Sequence, residues 1–309
     1  MKNQINVVCF GEVLWDIFPQ GKRAGGAPFN VAYNLSRLGA EVRMVSCVGI
    51  DSLGDTLLSQ INSWDITTNG IQKDDIHPTG TVIAHFDEHN EAHYDIVENV
   101  AWDYINTKEA DLKAVKEAGA LVFGTLAMRN KTSRDTIFQL MEEARFNVFD
   151  INLRPPFYDV KTIKEILHKV QLAKFNKAEL RLVLDFLGKT YVDEDDSIRF
   201  IQDQFDLPEI IVSKGSKGAI YYNADTHYQY PAVKIEIKDT VGSEDSFLVC
   251  FLVKRLINAP TDEIMTQATS LGAFITSKEG ACPPYTLEEF EKFKAEHPIA
   301  KEQIITNKR

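Results

Sequence analysis

The chain has 309 residues, a formal net charge of -11, and 44% hydrophobic and 26% charged residues, the balance of a soluble α/β domain with at most a small appendage. That acidity argues against nucleic acid or an anionic membrane as a partner, since both reward a basic face, and no apolar run approaches the roughly 18 residues of a membrane helix. The apolar start ends at Gly11 and Glu12, as a strand and not a signal peptide would, and Cys9, Cys47, Cys250 and Cys282 form no C-x-x-C pair, so a cytoplasmic protein with reduced, mostly buried thiols is expected.

Residues 5–10 are a short β-rich run, a good first strand of a buried sheet. In Glu12-Val13-Leu14-Trp15-Asp16-Ile17-Phe18-Pro19, apolar residues alternate with Asp16 until Pro19 stops the segment; Asp16 is either a strand-edge residue or a ligand. Gly25-Gly26-Ala27-Pro28-Phe29-Asn30-Val31-Ala32 is more telling. Two glycines allow close backbone approach, and Pro28 presets a first helical turn. Val31, Ala32, Leu35 and Leu38 then share one face, and Gly39 closes the helix. Asn30 falls in the first turn, as a cap or as a donor and acceptor for a polyol.

Residues 42–48 read as a second strand, followed by Gly49-x-Asp51-x-x-Gly54-Asp55, a helix over 55–64 and a turn at Asn69-Gly70. Residues 81–87 and 91–97 alternate as strands joined through Glu88-His89-Asn90. This hairpin breaks the βα rhythm, so it belongs to a separate small sheet suited to cover a ligand. His85, His89 and His93 are spaced by four, a metal-ligand spacing on a helix; on a hairpin that spacing keeps them apart, and no metal site is expected.

From residue 108 the rhythm is regular. Helices over 108–118, 132–145, 159–170, 177–186 and 197–204 are interleaved with strands at 121–124, 148–151, 172–175 and 210–213. The pattern implies a mostly parallel sheet with helices on both faces and ligands at the carboxyl ends of its strands. Polar residues gather at those ends: Asp150, Asn152 and Arg154, then Asn176 and Glu179, then Ser213, Lys214 and Gly215. A fourth end follows an alternating strand-like run over 232–237. There Asp239-Thr240-Val241-Gly242-Ser243-Glu244-Asp245-Ser246-Phe247 opens into an apolar helix over 247–256. Strand, Gly/Ser turn and helix together aim free amides and the positive helix end at one spot, which suits an anion. Asp245 would lie beside a phosphate bound there, where phosphoryl transfer to a hydroxyl needs an acid-base group. Ser and Asp at a helix start are equally ordinary N-caps. The tail over 286–309 reads as a charged terminal helix with a frayed end.

In this order and spacing the motifs resemble the ribokinase-like, or PfkB, family of carbohydrate kinases, and within it the bacterial fructokinases. The resemblance rests on Gly25-Gly26-Ala27-Pro28-x-Asn30-Val31-Ala32, Gly49-x-Asp51-x-x-Gly54-Asp55, Asn176-x-x-Glu179, Asp239-Thr240-Val241-Gly242-x-x-Asp245-Ser246-Phe247 and Gly280-Ala281-x-Pro283, spread over nearly the whole chain. Walker A and protein-kinase signatures are absent. The resemblance implies one ribokinase-like domain over 1–309, a three-layer sandwich with a small β-sheet lid formed by about 12–26 and 79–107, and a homodimer paired through that lid. It implies ATP and Mg²⁺, with K⁺ as a further candidate ion. Asp245 would be the base, and the amides of Gly242, Ser243, Glu244 and Asp245 the anion hole. Asp16 and Asn30 would hold sugar hydroxyls, Gly26 would let the sugar approach the backbone, and Arg154 would meet phosphate charge. Asn176 and Glu179 would organise Mg²⁺ through water. Ser213, Gly215, Gly218 and Thr269 would line the nucleotide groove, and Asp239 with neighbouring carbonyls would bind a monovalent cation. Fructose is the first choice of sugar, because Glu12-Val13-Leu14-Trp15-Asp16 and Glu98-Asn99-Val100-Ala101-Trp102-Asp103 look like the fructokinase branch.

The chain departs from the family where it reads Gly242-Ser243-Glu244-Asp245 in place of Gly-x-Gly-Asp. Glu244 adds bulk and a charge: about 5 Å from a phosphate charge, at an effective dielectric near 20, the repulsion is about 3 kcal/mol per charge. Val249 and Cys250 replace the family's frequent Ala and Gly, and Thr269 a frequent Asn. These departures leave two alternatives to a fructokinase: a weakened homologue that binds sugar as a sensor or regulator, or a kinase for another sugar or a nucleoside.

Overall fold

A computed structural model describes residues 5–86 and 92–308. The chain opens with β1 (Asn6–Phe10), the antiparallel pair β2 (Leu14–Phe18) and β3 (Gly21–Gly25), α1 (Ala27–Arg37), β4 (Glu41–Gly49), α2 (Ser52–Ser63) and β5 (Ile71–Asp74). The hairpin β6 (Thr81–Phe86) and β7 (Ala92–Ile96) follows. Next come α3 (Glu109–Glu117), β8 (Ala120–Gly124), α4 (Lys131–Glu143), β9 (Asn147–Asp150), α5 (Val160–Leu167), β10 (Leu172–Asn176), α6 (Lys177–Phe186), α7 (Glu194–Phe205) and β11 (Glu209–Ser213). The chain ends through β12 (Ala219–Tyr222), β13 (Thr226–Tyr230), α8 (Ser243–Leu256), α9 (Thr261–Thr276), α10 (Leu287–Glu296) and β14 (Ile305–Lys308).

Ten of these strands form one sheet in the order β14-β13-β12-β11-β10-β9-β8-β1-β4-β5. From β5 to β11 every neighbouring pair is parallel, and β12, β13 and β14 add on antiparallel. Its central strands, such as β1 and β8, are largely apolar and buried because both faces are covered. Along β1, Val7 and Cys9 pack with α1, α8 and α9, whereas Val8 and Phe10 pack with the layer containing Leu140, Ile166 and Leu184. This is the three-layer sandwich expected. A second sheet, in the order β3-β2-β6-β7, is separate and small.

Several expectations are corrected. Residues 232–237 are not a strand. Pro231 ends β13, both edges of β13 are already taken by β12 and β14, and the segment packs Val233 against the core before Lys238 and Asp239 donate to the Thr276 carbonyl. The tail is not one helix: α10 stops before Pro298, which cannot continue a helix, and β14 pairs with β13 as the outer strand. α2 begins at Ser52 because Asp51 accepts from the Gly54 amide as its N-cap, α7 begins at Glu194, and α5 is shorter than read, ending at Leu167. His85 and His93 are register partners across the hairpin, so the spacing does not keep those two apart; His85 pairs with Asp95, with Nε2 3.0 Å from the carboxylate. His89 and the turn Glu88-His89-Asn90 lie outside the described residues. All four cysteines are free thiols, and Cys282 is partly exposed. No helix among the described residues is long and apolar enough to cross a membrane.

Candidate active site

The carboxyl ends of β1, β9, β10 and β11 converge on the N-termini of α1 and α8. α8 starts after Gly242, which takes φ +76°; a Cβ there would come within 2.6 Å of Ala281 Cα, so only glycine fits. Asp245 is the third residue of α8 and is buried. Its Oδ2 accepts a hydrogen bond from Asn30 Nδ2 at 2.9 Å, joining α8 to the first turn of α1. Burial, and then the charge of Asp150, push the Asp245 carboxyl up to about 6, against the pull of Lys174 and Asn30.

α1 has no side-chain cap of its own. Glu12 supplies one from the end of β1: its Oε1 accepts from the Ala27 amide at 3.2 Å, while Oε2 is buried without a partner. Burial raises the Glu12 carboxyl to about 7. A Cβ on Gly26, at φ +114°, would meet the Glu12 carbonyl oxygen at 2.3 Å, so this turn presses directly on the segment that follows β1. Asp16 projects from β2 beside Gly25, and burial lifts it to about 6 against the opposing charges of Arg154 and Arg23. Arg154 donates to the Leu153 carbonyl at 3.1 Å. Its charge acts on Glu12, Asp16, Asp150 and Glu244 together.

Beneath α8 lies an ion cluster. Lys174 in β10 faces its register partner Asp150 in β9, with Nζ 3.0 and 3.2 Å from the two carboxylate oxygens. Glu244 Oε2 approaches the same ammonium at 3.1 Å. Lys174 is buried, yet its pKa is raised: desolvation works against the charge, and Asp150, Glu244, Glu179 and Asp245 outweigh it. Burial likewise opposes ionisation of Glu244, but Lys174, Ser213 and Arg154 win and hold it below the ordinary range.

Asn176 and Glu179 form a capping box at the start of α6: Glu179 Nα–H donates to Asn176 Oδ1 and Asn176 Nα–H to Glu179 Oε2. Glu179 Oε1 also accepts from the Leu153 amide at 2.9 Å. Each carboxylate oxygen therefore holds one amide and keeps a lone pair, which fits a hydrated cation reached through water better than a direct metal bond. Ser213 joins the cluster through Glu244, whereas Gly215 and Gly218 lie in the turn between β11 and β12. Thr269, on α9, has a buried hydroxyl with no partner, an orphan group that fits a ligand atom from a nucleotide. Asp239 accepts from the amides of Val241 and Gly280 and lies 4.0 Å from Arg23; it ties the loop before α8 to the loop after α9. Val249 and Cys250 are fully buried between these layers.

Three members of this site had no assigned role in the sequence reading: Lys174, Asp150 and Glu12. The signal for Lys174 was available, a lone lysine inside the apolar strand Leu172-Ala173-Lys174-Phe175, since a buried lysine demands carboxylate partners. Glu12 was hidden because its cap reaches from a different element.

A three-layer α/β fold with acid-base and cationic groups gathered at the carboxyl edge of its sheet has the layout of a ligand-binding enzyme site. The chain belongs to the pfkB family of carbohydrate kinases, whose model matches residues 5–287. It is 27% identical to fructokinase-1 of Zea mays over 312 aligned residues, covering 91% of this chain and 95% of the relative. It is 26% identical to fructokinase-2 of Solanum lycopersicum, covering 90% and 92%. Among solved structures, the fold superposes on fructokinase with bound ATP from Xylella fastidiosa with a TM-score of 0.83 at 20% identity, covering 94% of this chain and 98% of that one. The Vibrio cholerae fructokinase in fructose-, ADP- and calcium-bound form superposes with 0.79 at 20% identity, covering 94% and 99%.

Proposed function

We propose that the protein phosphorylates a sugar hydroxyl with ATP, fructose being the first candidate. The observation that carries this reading is the 2.9 Å hydrogen bond from Asn30 to Asp245. It puts a buried carboxylate, lifted toward neutrality, between a polar group at the α1 turn and the start of α8. Asp245 takes the proton from the acceptor hydroxyl, the hydroxyl oxygen bonds to the γ-phosphorus, ADP departs with the electrons of the broken P–O bond, and Asp245 then returns its proton to solvent. The amides of residues 242–245 receive the charge on the transferred group. Asp16, Asn30 and Gly26 hold the sugar, and Arg154 meets phosphate charge. Ser213, Gly215, Gly218 and Thr269 line the nucleotide groove. Glu179 and Asn176 would hold Mg²⁺ through water, and that ion would neutralise charge along the polyphosphate. Asp239 orders the loop whose carbonyls are candidates for K⁺. The small sheet serves as the lid over the sugar and as a pairing surface for a homodimer.

One observation favours a second reading. Glu244 fills the anion-hole position and is bound to Lys174, as in a homologue that binds sugar with weakened turnover. An ADP-release assay over fructose, other hexoses, ribose and nucleosides, on wild type and Glu244→Gly, separates the readings. Turnover with fructose in the wild type supports the kinase; none with any acceptor, even after Glu244→Gly, defeats it.

A further inference from the structure

A half-exposed glutamate bound to a nearly inaccessible lysine at the start of α8 needs an explanation. Lys174 is 2% exposed, and Asp150 alone already pairs with it through both oxygens, at 3.0 and 3.2 Å. The cation therefore needs no second carboxylate for neutrality. It has one anyway: Glu244 Oε2 lies 3.1 Å away, with that side chain 43% exposed. The surroundings make this addition costly. Asp150, Glu179, Asp245 and Glu244 all act on Lys174, and Arg154 is the other cation acting on Asp150 and Glu244. Four carboxylates thus act on this one lysine in a crevice whose chemistry, on the reading above, is anion transfer. The second residue of α8 also stands where the helix end attracts negative charge, so Glu244 occupies electrostatic ground that would otherwise draw an anionic ligand.

We propose that Glu244 is a latch on the phosphate end of the nucleotide site: its carboxylate takes, on Lys174 and the start of α8, the place of a phosphate oxygen, and the nucleotide phosphates bind only when the glutamate swings out. The swing gives up only the contacts of Glu244 with Lys174 and Ser213, because Lys174 keeps both bonds to Asp150 and the Glu244 side chain already reaches solvent. Lys174 then exchanges one anion for another. This inference rests on the phosphoryl-transfer reading of the site but concerns binding, and it separates from turnover.

The test is calorimetric titration of ADP, tripolyphosphate and adenosine into wild type and Glu244→Gln. Releasing a charge-assisted bond should tighten ADP and tripolyphosphate by about ten- to a hundredfold, with adenosine unchanged. To distinguish a latch from plain repulsion, Glu244→Gln is repeated on a Lys174→Met/Asp150→Asn background, which removes the buried pair together and leaves neither charge stranded. The gain should shrink several-fold there. Equal gains in both backgrounds, equal gains for adenosine and ADP, no gain at all, or no ADP binding by any variant would each overturn the latch. A gain in ADP affinity without sugar turnover leaves the latch standing and removes the kinase reading; turnover without the gain does the reverse.

Discussion

Replacing Asn30 by Leu removes one hydrogen bond from a carboxylate and nearly preserves volume. Asn30 and Asp245 are both buried and 2.9 Å apart, and this bond is among the influences that keep the carboxyl from rising beyond about 6. A hydrogen bond to a charged partner contributes about 1.5–3 kcal/mol, equivalent to about one to two pH units on the titration of Asp245. The base acts only when unprotonated, so kcat/KM should climb with pH through the carboxyl's titration, near pH 6 in the wild type. In Asn30→Leu the same limb should move upward by about one to two units. Any loss of sugar affinity would lower the whole curve without displacing it. The assay is ADP release at subsaturating fructose from roughly pH 5 to 9. An acid limb unmoved or shifted downward would refute the assignment of Asp245 as the titrating base.

Further expectations concern stability. Glu12 has a folded pKa of about 7, above its ordinary 4.5, so the protonated form is favoured by folding; the contribution is full below 4.5 and is lost as pH rises through about 7, up to about 3 kcal/mol. Glu12→Gln, which keeps an acceptor for the Ala27 amide and carries no charge, should flatten the fall in Tm between roughly pH 5 and 8; an unchanged slope would show that Glu12 is not the group responsible. Arg129 is buried, pairs with Asp103 at 2.7 Å and donates to the Val97 carbonyl just after β7. Arg129→Met strands the Asp103 charge and should cost about 3–5 kcal/mol, read as a drop in the denaturation midpoint; a loss below about 1 kcal/mol would contradict the pairing.

Most of the parallel half of the fold was legible because β4, β8, β9 and β10 are short apolar runs leading into helices with their own side-chain caps, at Asp51, Asn130, Asp159 and Asn176, whereas β5, a four-residue run ending Lys73-Asp74, carries no such signal. The antiparallel edge was not. Residues 219–222 and 226–230 lie so close together that no helix signal separates them, and β14 forms only because β13 offers an open edge far away in sequence. Residues 232–237 show the converse failure, since alternation without a free sheet edge yields no strand. At the site, Asp245 and Asn30 could be singled out separately, from a turn and a helix start, but their mutual bond could not. Lys174 and Asp150 meet through strand register, and Glu12 caps α1 from another element. Such pairings depend on topology, which local patterns do not carry.

The most direct measurement is ADP release with fructose and ATP by Asp245→Asn beside the wild type, with ADP affinity measured on both. If Asp245 takes the hydroxyl proton, turnover should fall by about a hundredfold to ten-thousandfold while ADP affinity changes little. Turnover within about tenfold of the wild type would mean that the proton leaves by another route.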